Sequence, residues 1–242
     1  MKKVPVVEKV LKANDQMAGE VRAELGEAGV RVVNVMASPG AGKTSVILST
    51  LDRLPDGIRA GVVEGDVAGS IDADRVAERG VPVVQINTGG SCHLDAPMLR
   101  SALPHLPLEE LDLLFVENVG NLICPSSFDL GADFALVVGS VPEGDDKPYK
   151  YPAMFTDADA VVLNKTDLLD VFDFDPEYYR RGVRMVNGDA PVLPLSCRTG
   201  EGLDAWLDWI VERSGGDPGG AGVRDAGESR ARAGTVTGAA GR

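Results

Sequence analysis

The sequence predicts an α/β fold in which helices flank a mostly parallel central sheet. Two observations support this fold class. From Arg31 onward, short and nearly continuous Val/Ile/Leu runs alternate with helical segments, which is typical of strands buried on both faces. A glycine-rich loop, ASPGAGKT at 37–44, lies between an apolar run and a helix-favouring segment. This order of strand, glycine loop and helix predicts a P-loop NTPase fold.

The composition of the 242-residue chain is that of a soluble globular protein, with 44% hydrophobic and 25% charged residues. A formal net charge of −13 argues against binding to nucleic acid or to anionic membrane surfaces. The charged N-terminus lacks the apolar core of a signal peptide, and no run approaches the roughly twenty apolar residues of a membrane span. Three irregularly spaced cysteines do not suggest a disulfide framework, so a cytoplasmic protein is expected.

Three segments are predicted along the chain. Residues 1–30 carry apolar side chains at helical spacing, which predicts one or two amphipathic helices packed on the rest of the protein. Residues 31–213 contain the alternating strand and helix patterns and form the main domain. Residues 214–242 have almost no apolar side chains to offset the entropy of ordering, so a disordered tail is expected.

Apolar runs predict the strands of the main domain. These runs are Val32–Met36, Ala60–Val63, Val81–Ile86, Leu111–Val116, Phe134–Val141, Ala160–Leu163 and Val192–Leu195. A last helix is predicted over 202–213, with Trp206 on its apolar face and in the core. Trp209 lies off that face, and we expect it to be only partly covered.

The glycine-rich loop predicts a phosphate-binding site. Its backbone N–H groups from Gly40 to Thr44 can surround a phosphate, aided by the partial positive charge of the helix N-terminus. We expect Lys43 to reach the β- and γ-phosphates and the Thr44 hydroxyl to bind magnesium. The strict pattern begins with glycine, where this chain has the small residue Ala37. The loop residues assigned to nucleotide binding are Pro39, Gly40, Ala41, Gly42, Lys43, Thr44 and Ser45.

The tetrapeptide Asn164-Lys165-Thr166-Asp167, at the end of a predicted strand, favours guanine over adenine. A carboxylate at Asp167 can accept hydrogen bonds from N1–H and the exocyclic amine of guanine, whereas adenine would leave it unpaired. Asn164 is expected to brace the loop and face the base, with the Lys165 stem along the ring. Ser196 and Cys197 follow the last predicted strand, where a loop would close over the base.

Two further segments carry candidate catalytic residues. Glu117 ends a predicted strand and Gly120 follows it, at positions where many GTPases have Asp-x-x-Gly. The Gly120 N–H could meet the γ-phosphate, and Glu117 could act on magnesium through water. Asp66 is a reasonable magnesium or water ligand, whereas Asp72 also fits an ordinary helix start. The residues assigned to catalysis are Lys43, Thr44, Asp66, Glu117 and Gly120, and those assigned to magnesium are Thr44 and Asp66. No glutamine follows Gly120 to position water, so slow and partner-dependent hydrolysis is expected.

Cys92, His93 and Cys124 form a second candidate site. Their spacing is not that of a zinc finger, but both segments leave the carboxyl edge of the predicted sheet, where α/β proteins bind ligands. Two thiolates and an imidazole suit zinc, copper or nickel. Three ligands are an incomplete set that water or a second chain would complete. The competing interpretation is structural, with Cys124 as a small buried residue and His93 as a helix cap.

Three segments resemble the hydrogenase nickel-incorporation GTPases, the HypB family: INTGGSCHLDAPM (86–98), ENVGNLICPSSFDLG (117–131) and EGDDKPYKYP (143–152). The resemblance covers nearly all of residues 1–213. It implies a metal-chaperone GTPase that binds GTP and Mg²⁺ at the sites above and holds nickel, or zinc in its place, at a GTP-dependent homodimer interface. Residues matching Cys92, His93 and Cys124 would hold that metal. The resemblance also implies delivery into the hydrogenase large subunit, with a HypA-type metallochaperone as partner.

Two features of some family members are missing from this sequence. It has no cysteine before Cys92, and therefore no N-terminal Cys-x-x-Cys-Gly-Cys nickel site. Its two histidines, His93 and His105, cannot form a His-rich storage stretch, and His105 is given no role. Storage of several nickel ions is therefore not expected.

Other functions fit part of the pattern. A sister chaperone GTPase for urease or a cobalamin-dependent enzyme would share the phosphate and metal segments. A P-loop small-molecule kinase would use ATP, which Asp167 argues against. Lys147 and Lys150, in an otherwise acidic loop, either face the partner subunit or the nucleotide or are simply solvated. Because Cys124 lies four residues after Gly120, GTP binding is expected to move this metal ligand.

Overall fold

The computed structural model describes residues 6–67 and 69–214, and within these ranges it contains a seven-stranded sheet. The strands are β1 (Arg31–Ala37), β2 (Ala60–Asp66), β3 (Val83–Asn87), β4 (Leu113–Glu117), β5 (Phe134–Ser140), β6 (Ala160–Asn164) and β7 (Val192–Pro194). Every pairing is parallel, and the strand order is β3-β2-β4-β1-β5-β6-β7. The predicted α/β fold class is confirmed, and each predicted strand is present.

Helices cover the faces of this sheet. They are α1 (Val6–Glu27), α2 (Lys43–Leu51), α3 (Ile71–Ala77), α4 (Ala96–Ala102), α5 (Lys147–Lys150), α6 (Pro152–Thr156), α7 (Pro176–Val186) and α8 (Leu203–Ser214). None of those within the described ranges is both long enough and apolar enough to cross a bilayer. The expected disordered tail over 214–242 stays a prediction, because the chain beyond Ser214 lies outside the described residues.

Burial of the strands explains the apolar runs in the sequence. Every residue of β4 and β6 is buried, as are all residues of β1 after the first. Such strands contact helices on both faces and therefore carry apolar side chains without alternation. Strand β3 begins at Val83, two residues later than predicted, and the carbonyl of Pro82 still accepts from Val62 N at 2.9 Å. Pro82 itself has no N–H to donate to the ladder.

The N-terminal segment forms one helix rather than two. Val21 and Leu25 of α1 are buried and share a core cluster with Leu99 of α4. The helix ends before Gly29, which has a φ of +76°, a backbone conformation that glycine adopts without strain. Gly131, with a φ of +79°, lies so close to α1 that a Cβ there would be 2.4 Å from the Ala18 carbonyl. The loop that contains Gly131 therefore packs directly on α1.

The two tryptophans of α8 are both buried, and the expectation that Trp209 is only partly covered was wrong. Trp206 is fully buried and Trp209 is 8% exposed. Trp209 stacks on Trp206 with ring centroids 5.5 Å apart and meets the Phe134 ring edge-on at 5.9 Å. The Arg213 guanidinium covers its outer side at 4.3 Å. These neighbours come from β5 and the next helical turn, so the apolar stripe of α8 alone did not reveal them.

Replacing Trp206 with Phe is expected to destabilise the protein more than replacing Trp209 with Phe. Both changes remove similar volume from a buried stack, but only Trp206 Nε1 donates a hydrogen bond, to Thr50 Oγ1 at 2.7 Å. Trp209 Nε1 has no partner in the described part of the chain. The expected difference in the free energy of unfolding is about 1 kcal/mol, the usual net value of one hydrogen bond. Urea unfolding of the two variants measures it, and equal losses would contradict the role of the Trp206 hydrogen bond.

Candidate nucleotide and metal sites

The glycine-rich loop joins the buried strand β1 to the start of α2 at Lys43. Gly40 and Gly42 have φ values of +78° and +104°, so both occupy a backbone conformation that favours glycine. At Gly42 a Cβ would also lie 2.4 Å from Asn164 Nδ2. The loop therefore takes its shape from its glycines, and its backbone N–H groups lie at the N-terminus of α2, where an anion is stabilised.

The segment after β6 is tied to the glycine-rich loop. The buried Asn164 donates from Nδ2 to the Ala41 carbonyl at 3.0 Å. Its Oδ1 accepts from Lys165 N at 2.7 Å and from Cys197 N at 3.3 Å. Lys165 has a φ of +61° and donates from Nζ to the Gly40 carbonyl at 2.6 Å. The predicted base-binding residues therefore lie together, against the predicted phosphate loop.

Asp167 is held as a charged acceptor in the same corner. Ser196 Oγ donates to Asp167 Oδ1 at 2.5 Å, and Arg198 Nε donates to Oδ2 at 2.7 Å. The hydrogen bond from Ser196, followed by that from Arg198, holds the pKa of Asp167 below its usual range. The Arg198 side chain is 74% exposed, so a ligand can displace it from the carboxylate. A fixed carboxylate of this kind matches two adjacent N–H donors.

Two acidic residues lie side by side at the carboxyl edge of the sheet. Glu64 of β2 is the ladder partner of Glu117 of β4, and both are buried. Thr44 Oγ1 donates to Glu117 Oε1 at 2.9 Å, and Lys43 Nζ lies 3.9 Å from the same oxygen. Burial raises the pKa of Glu117 to about 7, although Lys43 opposes the shift. Burial and the neighbouring Glu117 raise the pKa of Glu64 to about 8.

This acidic pair fits a bound Mg²⁺. Glu64 Oε2 is buried and has no hydrogen-bond partner among the described residues. The Thr44 hydroxyl and the carboxylates of Glu117 and Asp66 add hard oxygen atoms, the ligands that magnesium prefers. The carboxylates of Glu64, Asp66 and Glu117 line a cleft of about 340 Å³. Its lining consists of Pro39, Gly40, Lys43, Glu64, Gly65, Asp66, Val67, Asp72, Glu117, Asn118, Val119 and Gly120.

Sequence reasoning missed Glu64 as a candidate ligand and favoured Asp66. The available signal was a charged residue directly after the apolar run Ala60–Val63, because a charged residue that continues a buried strand is rarely buried without a partner. Asp66 also lines the cleft, but its Oδ2 already accepts from Gly69 N at 2.7 Å. Glu143 was missed as well. It contacts the hydroxyls of Ser38, beside the phosphate loop, and Ser140.

Gly120 lies against the phosphate loop. A Cβ at this position would be 3.0 Å from both Cα and N of Pro39. The segment after β4 therefore approaches the loop as closely as glycine allows. Lys147 and Lys150 of α5 make other contacts, since Lys150 pairs with Asp146 and Lys147 Nζ lies 5.6 Å from the centre of the Tyr151 ring. Their prediction as nucleotide or partner contacts stays open.

Cys92, His93 and Cys124 converge in space. Their potential ligand atoms all lie within 4.8 Å of one another, with the two Sγ atoms 3.0 Å apart. His93 stacks on Phe128 at a centroid distance of 3.9 Å, and burial lowers the pKa of His93, which favours the neutral imidazole that binds metals. The hydrogen bond with Cys92, together with burial, raises the pKa of the Cys124 thiol. Two thiols and a neutral imidazole suit zinc, copper or nickel.

The competing structural interpretation of this cluster does not hold. Asp95, not His93, is the N-cap of α4, and its carboxylate accepts from Met98 N at 2.8 Å. Cys92 is exposed and Cys124 is partly exposed, so neither thiol is a small core residue. The third cysteine, Cys197, lies near Asn164 in the base corner, away from this cluster.

The chain is similar to proteins of one family over most of its length. The family described as CobW/HypB/UreG, nucleotide-binding domain, matches residues 31–194. The hydrogenase maturation factor HypB of Escherichia coli K12 is 46% identical over 201 residues, which cover 83% of this chain and 69% of that protein. The hydrogenase/urease maturation factor HypB of Helicobacter pylori strain 26695 is 41% identical over 216 residues, with 88% of both chains covered.

Two solved structures that are similar to this chain are also HypB proteins. The crystal structure of HypB from Helicobacter pylori in complex with nickel has a TM-score of 0.80 and 40% identity, and the match covers 84% of this chain and 95% of that one. The crystal structure of hydrogenase maturation factor HypB from Archaeoglobus fulgidus has a TM-score of 0.78 and 38% identity, with coverage of 83% and 98%. The family match over residues 31–194 includes the phosphate loop, Asp167 and all three residues of the metal cluster.

Proposed function

Because this chain belongs to the CobW/HypB/UreG family of nucleotide-binding proteins, and within it to the HypB maturation factors, we propose that it is a GTP-hydrolysing metallochaperone. It binds nickel at a GTP-dependent homodimer interface and delivers the metal during maturation of nickel–iron hydrogenase. The observation that carries this proposal is the convergence of Cys92, His93 and Cys124 on the sheet edge that also bears the nucleotide cleft.

In this proposal the phosphates of the nucleotide lie in the cleft, and its base lies beside Asp167 on the other side of the phosphate loop. The loop from Pro39 to Ser45 binds the phosphates through its N–H groups and Lys43. Asn164, Lys165 and Asp167, with Ser196 and Cys197, hold the guanine base. Mg²⁺, when bound at Thr44 and the neighbouring carboxylates, would offset the charge of the β- and γ-phosphates. Lys43 and the Gly120 N–H then stabilise charge that develops on the γ-phosphate, the main source of catalysis in phosphoryl transfer.

Nickel is the cargo, and zinc is the alternative for the same donors. Two thiolates and one imidazole per chain leave coordination positions for water or for a second subunit. The solved HypB structure in complex with nickel supports the choice of metal. The proposed partners are a second copy of this chain, a HypA-type metallochaperone and the hydrogenase large subunit.

Coupling between the two sites follows from the short segment that joins them. Gly120 packs against Pro39, and Cys124 lies four residues later. A γ-phosphate that draws Gly120 inward shifts Cys124 with it and favours the metal-binding arrangement. Hydrolysis relaxes this arrangement. By thermodynamic reciprocity, the metal must then change the affinity for GTP by the same factor.

A different client enzyme is the closest alternative. The matching family description includes UreG and CobW, and one relative is named as a hydrogenase/urease maturation factor. Urease or a cobalamin-dependent enzyme could therefore receive the metal. A small-molecule kinase is a weaker alternative, because an ATP site has no use for the charged acceptor at Asp167.

The function is tested by the nickel content and oligomeric state of the protein with GDP and with a non-hydrolysable GTP analogue. We expect the analogue to favour a nickel-loaded dimer. With GTP itself, we expect the dimer to transfer nickel to the metal-free hydrogenase large subunit after hydrolysis. Size-exclusion chromatography with metal analysis measures the first step, and activation of the hydrogenase measures the second. If nickel is transferred to metal-free urease but not to the hydrogenase, then hydrogenase is not the client enzyme and urease takes its place.

Replacing Cys92 with Ser is expected to weaken nickel binding while GTP binding stays measurable. Removal of a residue that only hydrogen-bonds to a metal ligand typically lowers metal affinity about 10- to 100-fold. Cys92 is itself one of the three ligands, so its loss should lower nickel affinity at least as much. Cys197→Ser is the matched control, because Cys197 lies outside the cluster. Isothermal titration with Ni²⁺ measures both variants. Unchanged nickel affinity in Cys92→Ser would contradict the metal assignment, and joint loss of nickel and GTP binding would indicate misfolding.

A further inference from the structure

Leu94, the residue after His93, contacts both walls of the nucleotide cleft. Its backbone N–H donates to Asn118 Oδ1 at 3.0 Å, and Asn118 lies in the cleft-lining segment after β4. Its side chain is fully buried and packs on β2, where a Cβ at Gly65 would lie 2.7 Å from Leu94 Cγ and Cδ1. The backbone that carries Cys92 and His93 is therefore anchored to the cleft one residue beyond the metal ligands.

Hydrogen bonds set the orientation of the Asn118 side chain. It is fully buried, its Nδ2 donates to Asn34 Oδ1 at 3.1 Å, and its Oδ1 also accepts from Val119 N at 2.9 Å. Its own backbone N–H donates to the Val35 carbonyl at 3.0 Å. Because Asn118 Nδ2 donates to Asn34, the side-chain oxygen of Asn118 faces Leu94. One side chain thus links β1, which leads into the phosphate loop, to the segment that bears two metal ligands.

We propose that Asn118 is the positioning residue that transmits the nucleotide state to Cys92 and His93. This inference rests on the proposed function. Cys124 lies on the same segment as Gly120 and moves with it through the chain itself. Cys92 and His93 lie on a different segment, and the hydrogen bond from Leu94 to Asn118 makes them follow. Asn118 therefore keeps the three ligands together when the segment after β4 shifts.

A second buried asparagine provides a matched control. Asn14 of α1 is 4% exposed, donates from Nδ2 to the Asp129 carbonyl at 2.8 Å and accepts at Oδ1 from Ala96 N at 2.9 Å. It joins the same two metal-bearing segments, but on the side of α1 and away from the cleft. Loss of Asn14 loosens the metal site without breaking the connection to the nucleotide.

The experiment measures Ni²⁺ affinity in the GDP state and in the GTP-analogue state and compares their ratio. In the unmodified protein we expect a ratio in the usual range of allosteric coupling, about 5- to 150-fold. Asn118→Ala should lower this ratio several-fold, because only Cys124 then still follows the nucleotide state. Asn14→Ala should lower the affinity in both states by a similar factor and keep the ratio. Retention of the ratio in Asn118→Ala, or its equal loss in both variants, would overturn the assignment to Asn118.

A ratio of one in the unmodified protein would instead overturn the coupling in the proposed function itself.

A second measurement needs no variant and covers the case in which Asn118→Ala does not fold. The amide hydrogen of Leu94 donates to Asn118, so its exchange with solvent, followed by NMR in the full chain, should differ at least about fivefold between the two nucleotide states. Equal exchange rates would overturn the role of Asn118.

Discussion

Asp167→Asn is expected to convert the nucleotide preference from guanine to xanthine. The carboxylate of Asp167 accepts two hydrogen bonds in the present structure, from Ser196 and Arg198, and the same acceptor geometry suits N1–H and the exocyclic amine of guanine. An asparagine presents one N–H₂ group in place of an acceptor, which opposes the guanine amine and matches the carbonyl oxygen of xanthine. Loss of up to two charge-assisted hydrogen bonds, at about 1.5–3 kcal/mol each, weakens GTP binding on the order of 10²- to 10⁴-fold.

Competition between GTP and XTP in a fluorescent-nucleotide binding assay measures this change. Arg198→Ala is the control, because it removes the ion pair of Asp167 and leaves both carboxylate oxygens in place. This variant should retain the preference for GTP. An Asp167→Asn protein that still prefers GTP over XTP would contradict base recognition by Asp167. Stronger binding of ATP than GTP by the unmodified protein would favour the kinase alternative instead.

The fold could be predicted from the sequence because its signals are local. A buried parallel strand requires an apolar run, and the phosphate loop requires Gly40 and Gly42 at fixed positions for backbone reasons. Each predicted strand was found on this basis. Strand order then follows from the known topology of the fold, and it gathers the carboxyl ends that carry the nucleotide residues.

Features that depend on contacts between distant segments could not be predicted in the same way. Burial of Trp209 depends on Phe134, which lies 75 positions earlier in the chain. The pairing of Glu64 with Glu117 depends on the register of β2 and β4, which no local pattern specifies. The metal cluster could be predicted only in part. Residue types and sheet topology suggested it, but the spacing could not distinguish three ligands from a helix cap and a core cysteine.

Asn118 illustrates the largest gap between sequence and structure. A buried asparagine in a loop has no sequence signature, and its function lies in which backbone groups it reaches. The hydrogen bond that Asn118 accepts from Leu94 spans 24 positions, and the one that it donates to Asn34 spans 84. Each is a single hydrogen bond, yet together they connect the phosphate loop to the metal ligands. Such links between sites become visible only when buried polar groups are matched with their partners.

Lys43→Ala is expected to reduce GTP hydrolysis on the order of 10²- to 10³-fold in kcat, the usual cost of removing one group that stabilises transition-state charge. The Lys43 side chain is 10% exposed, and its Nζ lies 3.9 Å from Glu117 Oε1. The carboxylates of Glu64, Asp66 and Asp72 line the same cleft. Among the described residues that line it, Lys43 is the one with a positive charge. Without it, the remaining charges repel the γ-phosphate, and the added charge of the transition state has no lysine to stabilise it.

Lys165→Ala separates this catalytic role from simple loss of a positive charge near the loop. Lys165 also touches the phosphate loop, through Nζ and the Gly40 carbonyl at 2.6 Å, but on the side of the base. Its loss should raise KM more than it lowers kcat, because it acts on binding in the ground state and transition state alike. Lys43→Ala should lower kcat more than it raises KM. Steady-state phosphate release for the two variants measures both constants. A Lys43→Ala protein whose kcat stays within about threefold of the unmodified value would remove Lys43 from the catalytic mechanism.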